Sequence, residues 1–235
     1  MRNPNSLIPA CADCHLCSFT VLKSLSEADL QTVSDGKINL AVKKGQRIFT
    51  EGNPPHGLYA LYAGKVKIHK QLANNQEQIL QLLKPSDVFG YRSLLCKESY
   101  TYSATALEDS LVCLISIETF HEVIENSHLL KKEIIFKLSE ELDAVQRKLE
   151  LNAKTAYERV ADGLVNILCM YGIDETTGEL NAQFSRKDLA NLSGLTLETT
   201  VRTLTTMKNE GLIELDSKRI IITDKRKFLE KAALY

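Results

Sequence analysis

Ser185-Arg186-Lys187-Asp188-Leu189-Ala190-Asn191-Leu192-Ser193-Gly194-Leu195-Thr196-Leu197-Glu198-Thr199-Thr200-Val201-Arg202-Thr203-Leu204 is the stretch on which the architecture of this chain turns. Ser185 is a suitable N-cap, its hydroxyl able to accept a backbone N–H, and Asp188 in the first turn favours the positive end of the helix dipole. Leu189 and Leu192 give that helix an apolar edge. Gly194 supplies the permissive backbone of a sharp helix–helix turn, and Thr196 caps a second helix. On that second helix Leu195, Val201 and Leu204 are expected to face inward. Leu197, Glu198 and Arg202 project outward, with Glu198 and Arg202 at i and i+4 on one face. An arginine offers a donor fork to guanine O6 and N7, and a glutamate accepts from the cytosine amino group. The same spacing also suits an ordinary surface ion pair.

The segment C-terminal to these helices favours base reading over the ion pair. Leu212–Leu215 and Ile220–Thr223 are strand-like runs around a polar turn, a small hairpin or wing with Lys218 and Arg219 at its tip, where they would meet phosphate. From 185 to 235 there are ten Lys/Arg and seven Asp/Glu, while the 235-residue chain carries a formal charge of −1. So mild and local a positive charge fits the reading of a short site better than sequence-independent binding to a polyanion.

Gly194-Leu195-Thr196-Leu197-Glu198-Thr199-Thr200-Val201-Arg202 closely resembles the recognition helix of the CRP/FNR family of bacterial transcription regulators, on its FNR-like branch. The resemblance implies an effector-sensing β-roll, a long dimer helix and a winged helix-turn-helix. It implies that Glu198 and Arg202 read the G·C step of a TGA-type half-site. Ser185, Arg186, Thr196 and Thr199 would then touch the DNA backbone. It also implies double-stranded DNA, a second copy of the chain and RNA polymerase as partners. Val201 departs from the pattern, standing where the oxygen-sensing FNR members carry a serine, so the outer bases of the site should differ.

The rest of the chain agrees with an α+β protein of several parts. We expect a cysteine-containing arm at 1–19, a β-roll at 20–127, a dimerisation helix at 128–153 and the winged helix-turn-helix at 154–235. No run of 18 apolar residues spans a membrane, and Met1–Ala10 is polar rather than a secretory signal, so a cytoplasmic, reducing setting is expected. The six cysteines are then not expected to form disulfides. From about 20 to 120, runs such as Ile38–Val42, Leu58–Tyr62, Val66–His69, Ile79–Leu83 and Leu111–Ile117 alternate with Gly-, Asn- and Pro-rich turns, the pattern of an antiparallel roll. Lys44–Gly52 and Leu58–Val66 look like the cyclic-nucleotide-binding type of roll.

A cyclic nucleotide is nonetheless not expected. Members that bind one use a Glu after the Phe-Gly turn for the ribose and an Arg-Ser or Arg-Thr pair for the phosphate. Here the turn reads Phe89-Gly90-Tyr91-Arg92-Ser93, and no Arg precedes Thr101 or Ser103. A buried phosphate would lack its cation. Side chains such as Tyr91 and Tyr102 are expected to fill the pocket.

Cys11-Ala12-Asp13-Cys14-His15-Leu16-Cys17 sets three thiols at a C-x2-C-x2-C spacing that iron–sulfur sites use. A fourth ligand must come from elsewhere. Glu108–Thr119 resembles the FNR segment holding the fourth cluster cysteine, which implies Cys113 as that ligand and one 4Fe–4S cluster; Cys96 is the alternative. The oxygen sensors space the third N-terminal cysteine more widely. Zinc on three Cys with His15 or Cys113 is a second reading, and an arm of reduced thiols with no metal a third. Cys169, in the apolar run Val165–Met170, is expected to pack in a core.

Residues from about 128 to 152 lack Gly and Pro, and Ile135, Leu138, Leu142, Val145 and Leu149 recur at 3, 4, 3, 4, the seam of a two-helix coiled coil. A second helix is expected from Thr155 to Met170. The competing class is a cyclic-nucleotide-responsive module acting on a protein partner. Enzyme activity is not expected: the five histidines (His15, His56, His69, His121, His128) are scattered, and no Ser/His/Asp set or phosphate loop is present.

Overall fold

The computed structural model describes residues 8–73, 75–150, 153–217 and 219–233, with backbone alone at 18–19, 147–150 and 233. The N-terminal arm runs through two turns of 3-10 helix, His15–Phe19 and Val21–Ser24, into α1 (Glu27–Gly36). Thr20 caps the second of these turns and Ser26 caps α1, accepting the amides of Leu22 and Asp29 respectively.

Eight strands follow: β1 (Lys37–Val42), β2 (Arg47–Phe49), β3 (Gly57–Ala63), β4 (Val66–Gln71), β5 (Glu77–Leu83), β6 (Val88–Phe89), β7 (Ser103–Ala106) and β8 (Ser110–Ser116). Short α2 (Tyr91–Cys96) interrupts them. They form two four-stranded sheets, in the orders β1-β8-β3-β6 and β2-β7-β4-β5. Strand β8 is central in the first, with Cys113 opposite Asn39 on β1 and Ala60 on β3. The run read as Leu111–Ile117 stops one residue early, because the Ser116 hydroxyl accepts the Thr119 amide and starts α3 (Ile117–Asn126).

Two apolar clusters hold this part together. One lies inside the roll, where Phe49, Tyr59, Phe89, Tyr100 and Tyr102 pack among aliphatic side chains; the Phe49 and Tyr100 rings stack at 3.9 Å between centroids. The other joins Cys11, Val21, Leu22 and Leu25 of the arm to Val33, Tyr91, Phe120, Leu130 and Ile134. The arm is thereby part of a core. Tyr102 therefore fills the roll's interior as expected, whereas Tyr91 packs in the second cluster.

The long α4 (His128–Glu150) leads to α5 (Ala156–Tyr171), opened by a capping box between Thr155 and Glu158. Then come α6 (Arg186–Ser193), α7 (Leu197–Asn209), the antiparallel pair β9 (Ile213–Asp216) and β10 (Arg219–Ile222), and α8 (Lys225–Ala233). Leu164, Ile167, Phe184, Leu189, Leu204, Met207, Ile220 and Phe228 are buried here. Cys169 is not: it is exposed, a correction to the packing expected of it, because the buried stripe of α5 runs through Leu164, Ile167 and Leu168. The chain divides into two compact units, one of the described residues to Lys70 with Leu83–Val145, the other of Gln71–Leu82 with the described residues from Gln146 onward. Among the described residues no helix is long and apolar enough to cross a membrane.

Candidate functional site

The two helices of the pair are capped as their sequences require. Ser185 Oγ accepts the Asp188 amide at 3.0 Å and donates to its carboxylate at 2.6 Å. Thr196 Oγ1 accepts the Thr199 amide at 3.2 Å and donates to Thr199 Oγ1 at 2.9 Å. Between them Gly194 takes φ +63°, a left-handed conformation that L side chains seldom adopt.

Along α7, Thr200, Thr203, Leu204 and Met207 form the buried stripe, at i, i+3, i+4 and i+7. Leu197, Glu198, Val201 and Arg202 are exposed together. Val201 corrects the expectation that it faces inward: it is 44% exposed while Thr200 is fully buried. A helix turns about 100° per residue, which carries position 201 past the edge of the arc that Thr200, Thr203, Leu204 and Met207 occupy. Among the described residues, the side chains of Glu198 and Arg202 make no ion pair with each other, and both point to solvent.

The flanking cations are placed differently. Arg186 is half-buried; Nη2 donates to the Ser217 carbonyl of the wing at 3.2 Å, and Nη1 is buried without an acceptor among the described residues. Burial lowers the pKa of its guanidinium. Arg219 opens β10 and pairs with Glu179 at 3.4 Å. Lys218 lies outside the described residues.

In the N-terminal part, Cys11, Cys14, Cys17 and Cys113 line one cavity of about 30 Å³, with Lys37, Leu16, Ala60 and Tyr62 around them. Cys11 and Cys14 are buried, Cys17 and Cys113 partly so. Cys96 is exposed and does not line the cavity. The Cys17 thiol donates to Cys11, and the Lys37 ammonium stands beside it, holding the Cys11 pKa down to about 6 against burial; the same donation and burial raise that of Cys17. Burial pushes Cys113 up to about 11, opposed by Lys37. Lys37 also donates to the Pro9 carbonyl at 2.5 Å, and Ser34 Oγ accepts the Cys11 amide at 3.3 Å, so α1 and β1 tie down the arm. Sequence alone did not point to Lys37, which lies 20 residues beyond the third cysteine and meets the thiols only through the fold.

Four cysteine thiols on one cavity are the donor type that an iron–sulfur cluster would require. A single zinc needs its donors within about 2.0–2.3 Å of one centre. Among the described residues no group of three or more His, Cys, Asp or Glu is gathered closely enough to hold a single metal ion of any kind.

On α4, Ile135, Leu142 and Val145 of the expected seam are exposed. Leu138 is half-buried against the core of its own roll, and the Leu149 side chain lies outside the described residues. Phe136 is also exposed, with the Lys132 ammonium 5.7 Å from its ring centre.

Comparison with known proteins gives this geometry a context. Residues 40–127 match the family model described as "Cyclic nucleotide-binding domain", and residues 158–231 match "Crp-like helix-turn-helix domain". The chain is 31% identical over 217 residues to transcriptional activator protein anr of Pseudomonas aeruginosa, covering 91% of this chain and 88% of that one. It is 31% identical over 230 residues to electron transport regulator A of Shewanella oneidensis, covering 95% and 92%. The structure of FixK2 from Bradyrhizobium japonicum superposes with a TM-score of 0.73 at 25% identity, covering 83% of this chain and 96% of that one.

Proposed function

The chain belongs to the CRP/FNR family of DNA-binding transcription regulators, on its FNR-like branch, and from that premise we propose that it acts as a homodimer on a palindromic TGA-type site under redox control. The observation that carries the DNA reading is the exposed face of α7, where Glu198 and Arg202 stand one turn apart with no ion pair between them. Arg202 takes guanine through its donor fork and Glu198 the partner cytosine. Leu197 and Val201 flank them and meet the outer bases. Ser185, Arg186, Thr196 and Thr199 serve the DNA backbone, with Lys218 and Arg219 at the wing. RNA polymerase is the further partner that a transcription regulator requires.

Two copies are needed because one recognition helix reads only a half-site, and a pair reads two half-sites about 34 Å apart. The exposed Ile135, Leu142 and Val145 of α4 support that pairing. We assign Cys11, Cys14, Cys17 and Cys113 as the residues that hold a 4Fe–4S cluster, on the ground that they line one cavity. When bound, such a cluster would supply sensitivity to oxygen. The name of one relative, electron transport regulator A, is in keeping with a redox signal. The chain's own contribution is to bring the arm, β1 and β8 together, so that a change at the thiols bears on the core in which α4 is seated.

A cyclic nucleotide is not part of this reading: Tyr91 replaces the ribose-binding Glu, and its hydroxyl donates instead to Glu141 at 2.5 Å. Selection from a pool of random DNA duplexes tests the proposal. It should enrich inverted TGA-type half-sites with centres about one helical turn apart. Enrichment of a single unpaired half-site, or of an unrelated core, contradicts it.

A further inference from the structure

Behind the turn between α6 and α7 stands a residue whose hydrogen bonds go to the backbone of that turn. Arg159, in the first turn of α5, donates from Nε to the Ser193 carbonyl at 2.9 Å and from Nη2 to the Gly194 carbonyl at 2.7 Å. Ser193 ends α6, and Gly194 is its left-handed cap. The last carbonyls of a helix have no partner within it and form its negative pole. A guanidinium fork across two of them meets both needs at once.

The packing around this contact has no slack. Gly163, one turn along α5 from Arg159, lies so close to α6 that a Cβ there would come within 2.8 Å of Ser193 Oγ and 3.2 Å of Leu189 Cδ1. A Cβ on Gly194 would stand 2.5 Å from Arg159 Nη2. Thus α5 meets the turn at two points, Arg159 on its carbonyls and Gly163 against its side chain. Only Leu195 separates Gly194 from Thr196, the N-cap of α7, and Glu198 lies in the first turn of that helix.

We infer that Arg159 is a positioning residue of the DNA reader: its fork sets the direction in which α7 leaves the turn, and so decides how sharply Glu198 and Arg202 discriminate between bases. The inference rests on the proposed sequence-specific reading by α7. Its physical ground is a difference in tolerance. Contacts to phosphate are numerous, long-ranged and indifferent to small rotations of a helix, whereas a bidentate fork on a base edge loses its hydrogen bonds when it tilts.

The test uses the full chain and the site that it selects from random DNA. Affinity for that site and for a random duplex of equal length is measured for the parent, Arg159→Gln and Arg159→Lys, with the unfolding midpoint of each. Arg159→Gln should lower the specific-to-random ratio about tenfold while affinity for random DNA stays within about twofold. Arg159→Lys should fall between, since an ammonium is a point donor without the fork. Loss of both affinities in step with lost folded protein would reduce Arg159 to a structural residue and overturn the inference, as would an unchanged ratio. If Arg159→Gln does not fold, Arg159→Lys carries the same comparison. A parent that selects a site, with variants that keep the ratio, defeats this inference alone. A parent that selects no site defeats the reading by α7 and the inference with it.

Discussion

In the proposed reading of DNA, the adjacent residues Val201 and Arg202 carry different kinds of specificity. Arg202 presents a fork free of intramolecular ion pairing to Glu198, and replacing it with Ala should cost about 1–3 kcal/mol at the selected site with little change on random DNA. Paired binding titrations on the two duplexes measure this, and equal losses would mean that Arg202 is not a base reader. Val201, exposed beside it, offers methyl groups and no donor. Val201→Ser should therefore alter the preference at an outer base while the TGA core persists, which repeated site selection would detect. Val201 also marks where the sequence was least legible. An apolar residue in a helix invites an inward assignment, but here Thr200 closes the buried stripe, its hydroxyl satisfied by donating to the Thr196 carbonyl at 3.0 Å. Burial on α7 follows position around the helix more than hydropathy.

Among the elements, α4 has the most to do. On one side two polar rungs fasten it to the roll: Lys137 reaches Asp87 at 3.9 Å, and Glu141 accepts from Tyr91 at 2.5 Å. The residues are four apart on both partners, so the rungs fix the helix in register as well as in place. Burial raises the pKa of Tyr91, as does the carboxylate beside it, which keeps the phenol a donor. Tyr91→Phe should lower the stability of the folded chain by about 1–2 kcal/mol in urea unfolding, and no change would show the rung to be idle. On the other side Leu142→Asp should shift the protein from dimer to monomer in sedimentation, leaving the fold intact, because Leu142 is exposed in the single chain. That Ile135, Leu142 and Val145 share a stripe was legible from the 3, 4 spacing, and all three are exposed. That Leu138 instead leans on its own roll was not, since periodicity names a stripe but not its boundary with a second apolar face. A smaller element, the turn at 174–179, gives a pH prediction. Asp174 accepts the Thr176 hydroxyl at 2.6 Å and the amides of Thr177 and Thr176, each at 2.9 Å, which bring its pKa from 3.8 to about 2. A depressed carboxylate adds stability above its unfolded pKa and loses it as pH falls through the folded one. Asp174→Asn should therefore flatten the loss of stability between about pH 4 and pH 2, as followed by thermal unfolding.

For the molecule as a whole, the order of roll, long helix and winged helix-turn-helix could be read from alternating strands, one long segment without Gly or Pro and a capped helix pair, because each is a local pattern. The thiol pocket could be read only in part. Three of its cysteines sit within seven residues, but the approach of Cys113 and Lys37 depends on the pairing of β1 with β8 and on how the arm docks, which no local pattern encodes. We have proposed that a redox-sensitive group on four thiols governs a paired DNA reader at the other end of the chain. The most direct test of that proposal is to purify the protein without oxygen, count its iron and sulfide, and titrate it onto its selected palindrome before and after exposure to air. The expected result is about four irons and four sulfides per chain, tight binding before exposure, and a loss of both metal and affinity after it. A colourless, iron-free protein that binds the palindrome equally well in both conditions would contradict it.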